Sequence, residues 1–171
     1  MDLPELRYLF YMQRHAMNGE YQARLATPFA VLGIRHEADH LTGIDFLPNE
    51  AAPLSPQTRF AERVCKQLEA YLRDADSNFD LPMHLKGTPF QRRVWQAIMQ
   101  IPRGRTLTYG ELARKLFSGP RAVGQACGAN PICIVVPCHR VLGSGNIGGF
   151  MNADEGDPLA IKRWLLEHER G

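Results

Sequence analysis

Between residues 21 and 47 apolar and polar positions alternate loosely, as in Leu25-Ala26 and Val31-Leu32-Gly33-Ile34, with Thr27, Pro28 and Gly33 as turn signals. This pattern predicts short antiparallel strands with tight connections. From Ser55-Pro56 onward the period lengthens, and Phe60, Val64, Leu68, Tyr71 and Leu72 recur at helical spacing. A helix is expected to open with Ser55 as N-cap and Pro56 in its first turn, and to cover one face of the sheet. Cys65 falls on the apolar face of that helix, as a small core residue. Residues 75–87 have no period and read as the connection between two parts, 1–85 and 86–171. The leader at 1–18, with Tyr8, Phe10 and Tyr11, is more apolar than a disordered tail and is expected to pack against the sheet.

Beyond the connection the pattern is helical. Thr88-Pro89-Phe90-Gln91 precedes Val94, Trp95 and Ile98, and Thr108-Tyr109-Gly110-Glu111 precedes Leu112 and Leu116, so each helix starts with a capping box. Ser118-Gly119-Pro120 marks a turn, and a third short helix runs from Arg121 to Ala129 before Asn130-Pro131 ends it. Two short helices around a tight turn make a candidate helix-turn-helix. Ala122, Gly124, Ala126, Gly128 and Ala129 leave the second of them nearly without bulk, which suits close packing on another helix or close approach to a DNA groove. Ile132 to Val136 is an apolar, β-branched run read as a buried strand that delivers Pro137-Cys138-His139-Arg140. Asp157-Pro158 opens a last helix through Ile161, Trp164, Leu165 and Leu166. The fold class is therefore α+β: a small antiparallel sheet with helices, then a mostly helical part. No internal repeat or low-complexity tract is present.

With 44% hydrophobic and 22% charged residues the 171-residue chain has the composition of a soluble globular protein. No apolar run reaches the length of a membrane span, and Met1-Asp2-Leu3-Pro4-Glu5 lacks the basic start of a signal peptide. A cytoplasmic protein with no membrane partner is expected. The net charge of +2 hides an asymmetry: −4 over residues 1–85, +8 over 86–150 and −2 over 151–171. The basic stretch holds Lys86, Arg92, Arg93, Arg103, Arg105, Arg114, Lys115, Arg121 and Arg140 against Glu111 alone, a distribution suited to a polyanionic partner.

Cys65, Cys127, Cys133 and Cys138 are expected to be thiols in a reducing compartment. A zinc site from Cys127, Cys133, Cys138 and His139 is disfavoured, since its C-x5-C-x4-C-H spacing misses the usual ligand spacing. His15, His36, His40 and His84 are scattered, so no metal is expected. A free thiol is only a few per cent thiolate at neutral pH, and a neighbouring imidazole that holds its proton makes it a nucleophile. Cys138 with His139, in basic surroundings at the end of a buried run, is the candidate reactive thiol.

Pro137-Cys138-His139-Arg140-Val141, preceded by Asn130-Pro131 and Ile134-Val135-Val136, closely resembles the active-site signature of the O6-alkylguanine-DNA alkyltransferases, also called methylated-DNA–protein-cysteine methyltransferases. Gly87-Thr88-Pro89-Phe90-Gln91, Ile101-Pro102-Arg103-Gly104, Thr108-Tyr109-Gly110-Glu111-Leu112-Ala113, Arg121-Ala122-Val123-Gly124 and Trp164-Leu165-Leu166-Glu167-His168-Glu169 resemble that family's other blocks, in order. The resemblance covers residues 86–170 and is loose before them, where it implies a ribonuclease H-like N-terminal part.

The resemblance implies DNA repair. One alkyl group passes from the O6 of guanine to Cys138, irreversibly and without a cofactor, with O4-alkylthymine as a second candidate lesion. It assigns His139, through a water, as activator of Cys138 and Glu169 as the group orienting His139. Tyr109 becomes the donor to the departing base and Asn130 the brace of the cysteine turn. The pocket would be lined by Tyr109, Val141, Phe150 and Met151.

The expected partner is alkylated double-stranded DNA, bound through the minor groove by a monomer with the target nucleotide flipped out. Arg121 is the finger filling the vacated place, Ala122 and Gly124 lie on the groove-facing helix, and Arg92, Arg93, Arg114 and Lys115 are candidate phosphate contacts. One stretch departs from the family pattern: Gly149-Phe150-Met151-Asn152-Ala153 lacks the usual diglycine, and about five residues are inserted before Leu159. This is either loop variation or an altered pocket.

Three rivals are weaker. A non-catalytic relative would carry Trp in place of Cys138, and a plain helix-turn-helix regulator leaves Pro-Cys-His-Arg unexplained. A cysteine hydrolase usually separates its nucleophile and base widely in sequence.

Overall fold

The computed structural model describes residues 21–152 and 157–171, and its backbone contacts divide the chain between Leu85 and Lys86. The leader at 1–18 and part of the departing loop, 153–156, lie outside the described residues.

The first unit is built on strands β1 (Ala23–Ala26), β2 (Val31–Glu37) and β3 (His40–Leu47), antiparallel in the order β1-β2-β3. Alternation puts the cross-strand pairs Leu32–Phe46 and Ile34–Ile44 on one face. The other face carries Asp45, whose buried carboxylate accepts from Arg35 at 2.9 and 3.1 Å and from the Tyr21 hydroxyl at 3.1 Å. Helix α1 (Arg59–Arg73) buries Phe60, Val64, Cys65, Leu68 and Tyr71, the predicted stripe except for Leu72, which is half-buried, and lies nearest β1 and β2.

Its start differs from the expected Ser55-Pro56. Thr58 is the N-cap and accepts from the Ala61 amide at 3.0 Å. The residues before it are tied elsewhere: Leu54 exchanges backbone hydrogen bonds with Arg24, and the Gln57 amide donates to Gln22. That pairing holds the Ser-Pro segment extended along the sheet and delays the helix to the next capping side chain.

In the second unit α2 (Pro89–Met99) and α3 (Tyr109–Lys115) each start with a complete capping box, at Thr88/Gln91 and Thr108/Glu111. Helix α4 (Pro120–Gly128) follows α3 after four residues. It buries Val123, Ala126 and Cys127 toward α2 and α3, and the Trp95 indole donates to Ala126 O at 2.8 Å. Of its small residues Ala126 serves this packing, Ala122, Gly124 and Gly128 are half-buried, and Ala129 is exposed together with Arg121 and Gln125. A two-residue strand, β4 (Leu107–Thr108), pairs in parallel with β5 (Val141–Leu142). That bridge brings the start of α3 beside the chain leaving Cys138. Helix α5 (Asp157–Arg170) closes the unit, as Asp157-Pro158 predicts.

Ile132–Val136 is buried as expected but is a turn rather than a strand. The Val136 amide donates back to Ile132 O at 2.9 Å, and Ile134 has φ of 75°. Apolar runs of this length do not fix their own backbone. Here the Asn130 side chain does so, accepting from the Ile132 amide at 3.0 Å and donating to Val136 O at 2.9 Å.

Phe117, just past α3, has φ of 52° and Met151 and Asn152 have φ of 51° and 60°, each a left-handed conformation costing a side chain about 1–2 kcal/mol. Among the described residues no helix is long and apolar enough to cross a membrane.

Candidate active site

The braced turn after Asn130 feeds Pro137 into a single 3-10 turn, Cys138–Arg140, at the floor of a cavity of about 440 Å³. The cavity is lined by Tyr109 from α3, by Arg121, Gly124, Gln125, Cys127 and Gly128 from α4, and by Gly149, Phe150, Met151 and Asn152 from the loop before α5. Its volume falls within the roughly 300–1,000 Å³ of small-molecule sites. Cys138 is 4% exposed and His139 is fully buried.

The environment favours a nucleophilic thiol. The Cys133 Sγ lies 3.8 Å from the Cys138 Sγ and lowers the Cys138 thiol by hydrogen bonding. Burial opposes that lowering, while a contact with Asn130 and the Lys162 charge reinforce it. Cys127, lining the same cavity, is instead pushed up by burial and by the negative charge at Cys138. The protein therefore presents two thiols to one cavity but favours ionisation of only one.

Behind Cys138, His139 Nε2 and a Glu169 oxygen are 2.8 Å apart. Arg140 donates to both oxygens of the same carboxylate, from Nε and Nη2 at 2.8 Å each, and from Nη1 to Ile101 O at 2.6 Å. Burial alone would raise the Glu169 carboxyl, but the hydrogen bonds and charges of His139 and Arg140 hold it well below its ordinary range. An ionised carboxylate only accepts, so Nε2 carries the proton and Nδ1 keeps its lone pair. Nδ1 is buried without a protein partner. Burial also lowers the imidazole, against the pull of Glu169, so His139 is neutral at pH 7 and able to take a proton.

Across the cavity the Tyr109 hydroxyl donates to Gly149 O at 3.3 Å. Gly148 makes this approach possible: with φ of 70°, a Cβ there would lie 2.7 Å from the Tyr109 ring and 2.9 Å from the Gly143 nitrogen. Lys162 from α5 is fully buried and donates to Val141 O at 2.7 Å and Gly149 O at 2.8 Å, with its ammonium 5.8 Å from the Tyr109 ring centroid. Burial lowers it to about 8, against the pull of Cys138 and Cys127.

The geometry gathers Cys138, His139, Glu169, Tyr109, Asn130, Phe150 and Met151 around or directly behind the cavity, with Arg121 and Gly124 on its rim. Val141 does not line it. Its side chain is fully buried beneath the β4–β5 pairing, and only its carbonyl serves the site, through Lys162. Ala122 is half-buried on α4, and Arg92, Arg114 and Lys115 are exposed. Arg93 is also exposed, but its guanidinium donates to Leu116 O at 3.1 Å and ties α2 to the end of α3.

Sequence reasoning missed Lys162, Cys133 as a partner of Cys138, and the lining residues Gln125, Cys127 and Asn152. Lys162 had a signal: it lies within the buried stripe of Pro158, Leu159, Ile161, Leu165 and Leu166, where a charge is out of place. Among the described residues no three His, Cys, Asp or Glu side chains form a metal site.

The departing loop keeps an aromatic wall through Phe150. Met151 and Asn152 adopt the left-handed backbone that a diglycine would supply, and Asn152 donates to Gly128 O at 2.9 Å.

Comparison with known proteins yields a consistent set of relatives. Residues 89–171 match the family model described as 6-O-methylguanine DNA methyltransferase, DNA binding domain. A methylated-DNA–protein-cysteine methyltransferase of Methanosarcina acetivorans is 34% identical over 157 residues, covering 87% of this chain and 97% of its own. One from Mycobacterium tuberculosis is 47% identical over 107 residues, 61% of this chain and 62% of the relative. The solved structure of the M. tuberculosis O6-methylguanine methyltransferase superimposes with a TM-score of 0.74 at 34% identity, covering 88% of this chain and 93% of the other. A structure of the M. tuberculosis protein in complex with DNA gives 0.74 at 37% identity, over 86% and 91%.

Proposed function

The chain belongs to the methylated-DNA–protein-cysteine methyltransferase family, and from that membership we propose that Cys138 repairs O6-alkylguanine in DNA by taking the alkyl group itself. The reaction begins as His139 Nδ1 accepts the Cys138 proton, through a water, while Glu169 holds the imidazole in the required tautomer. The thiolate then attacks the alkyl carbon in line with the C–O bond. An S–C bond forms, the C–O bond breaks, and its electron pair stays on guanine. Tyr109 faces the cavity, and its hydroxyl turns its one proton from Gly149 O to the departing base as negative charge develops there.

None of the described residues around the cavity can return the thioether to a thiol, so each molecule acts once. The duplex is engaged through its minor groove, with α3 and α4 as a helix-turn-helix and the protein acting as a monomer. The target nucleotide is flipped into the cavity, at a cost of a few kcal/mol of unstacking. Arg121 on the cavity rim fills the place the base vacates. Arg92, Arg114 and Lys115 neutralise phosphates.

The observation that supports this reading most directly is the buried Cys138 at the cavity floor, with a hydrogen-bonded thiol partner on one side and the His139–Glu169 pair behind. The test is a titration of a duplex holding a single O6-methylguanine against the protein. Lesion removal that stops at one per protein molecule is expected. Continued removal beyond that ratio, or none, contradicts the reading.

A further inference from the structure

Helix α3 ends in a Schellman motif: the Ser118 amide donates to Ala113 O at 3.0 Å and the Phe117 amide to Arg114 O at 3.3 Å. The residue just past the cap in this motif is left-handed and is usually glycine. This chain places Phe117 there, at φ of 52°. Its side chain is 96% exposed and is the only exposed large hydrophobic among the described residues. The position is thus unfavourable for phenylalanine both in backbone conformation and in solvation, and none of the described residues covers the ring. The platform beneath it is fixed, because Arg93 donates to Leu116 O from α2.

Basic residues lie on either side of it in sequence. Arg114 and Lys115 are exposed in the last turn of α3, and Arg121 stands four residues on, at the rim of the cavity. Glu111, the one carboxylate of the stretch, is held in its capping box. An aromatic ring flanked in sequence by cations suits the wall of a duplex, where the deoxyribose carbons are apolar and the phosphates on either side are anionic.

We infer that Phe117 is a DNA-contacting side chain whose ring packs on the deoxyribose wall of the bound duplex and supplies a salt-independent share of the affinity. This rests on the DNA-repair reading for the partner, but it concerns binding and not alkyl transfer.

The experiment uses the full chain and a fluorescent undamaged duplex, with the dissociation constant measured by anisotropy from about 50 to 200 mM salt. Phe117→Gly suits the backbone and leaves the fold intact. It is expected to weaken binding about tenfold at every salt concentration, with Phe117→Leu intermediate. The slope of log affinity against log salt stays at the wild-type value, whereas Lys115→Ala lowers it by about one. Alkyl transfer from free O6-benzylguanine proceeds at the wild-type rate in Phe117→Gly.

An affinity within twofold of wild type throughout overturns the inference. So does a reduced salt slope, or an equal loss on the free base. A wild-type protein that binds the duplex but takes no methyl from an O6-methylguanine lesion refutes the repair reading, and the Phe117 affinity series still decides this inference.

Discussion

Replacing Glu169 with Gln removes one charge from a site where three donors converge on it. The Glu169 side chain is 2% exposed, and His139 Nε2 and the Nε and Nη2 of Arg140 each lie 2.8 Å from its oxygens. An amide accepts through its oxygen only. Its NH2 group then faces a donor of His139 or Arg140, and Arg140, whose side chain is 11% exposed, loses its counter-charge. Removing one partner of a buried ion pair costs about 3–5 kcal/mol. The residual exposure of Arg140 and its surviving bond to Ile101 O put this case near the lower end, at about 3 kcal/mol.

Urea unfolding followed by the fluorescence of Trp95 and Trp164, both in the second unit, measures this loss. With a slope of about 1.5 kcal/mol per molar, the midpoint falls by about 2 M at pH 7. The pH dependence is a stricter test. The Glu169 carboxyl titrates lower in the fold than its ordinary 4.5, so its stabilisation is complete above that value and is lost as the pH falls toward the folded value. The difference between the two proteins therefore stays constant from neutral pH down to about 5.5 and narrows below 4.5. A loss under about 1 kcal/mol at pH 7, or a difference as wide at pH 3.5 as at pH 7, refutes the reasoning.

Three further outcomes are expected. Cys133→Ala moves the pH profile of alkyl transfer from free O6-benzylguanine to higher pH, because the Cys138 thiolate loses a donor 3.8 Å away, and Cys133→Ser restores it; coincident profiles contradict this. The wild-type rate declines above pH of about 8, where Lys162 loses its proton and its charge no longer favours the thiolate. Lys162→Met is slower and lacks that decline, and an unchanged alkaline limb in this variant removes Lys162 from the account. Arg121→Ala slows repair in duplex DNA by at least about tenfold yet leaves reaction with free O6-benzylguanine intact, as a finger on the cavity rim requires; equal losses on both substrates contradict the finger role.

What the chain revealed before folding follows from how local each determinant is. Capping boxes at Thr88 and Thr108 are decided within four residues, and both appear in the structure where the sequence puts them. The start of α1 depends on Leu54 pairing with Arg24, thirty positions back, so Ser55-Pro56 misled. Ile132–Val136 has a strand's composition, but its shape is imposed by the hydrogen bonds of Asn130, which composition does not record.

In the site, His139 beside Cys138 was legible from adjacency, and Glu169 only through the family resemblance. The contact of Cys133 with Cys138 arises from the tight turn between them, so an extended reading of that run separated two thiols that the fold brings together. Lys162 broke an apolar stripe in plain view, yet its meaning needed the two carbonyls that α5 carries it to.

The central claim is that one particular thiol accepts the alkyl group, and the cavity itself supplies the competing thiol. Cys127 and Cys138 line the same space, and burial holds Cys127 protonated while Cys133 and Lys162 favour the Cys138 thiolate. The decisive measurement is fragment-ion mapping of the protein after reaction with a duplex containing one O6-methylguanine. The account predicts a single methyl group per molecule, on Cys138. A methyl group on Cys127, or unmodified protein recovered from the lesion duplex, contradicts it.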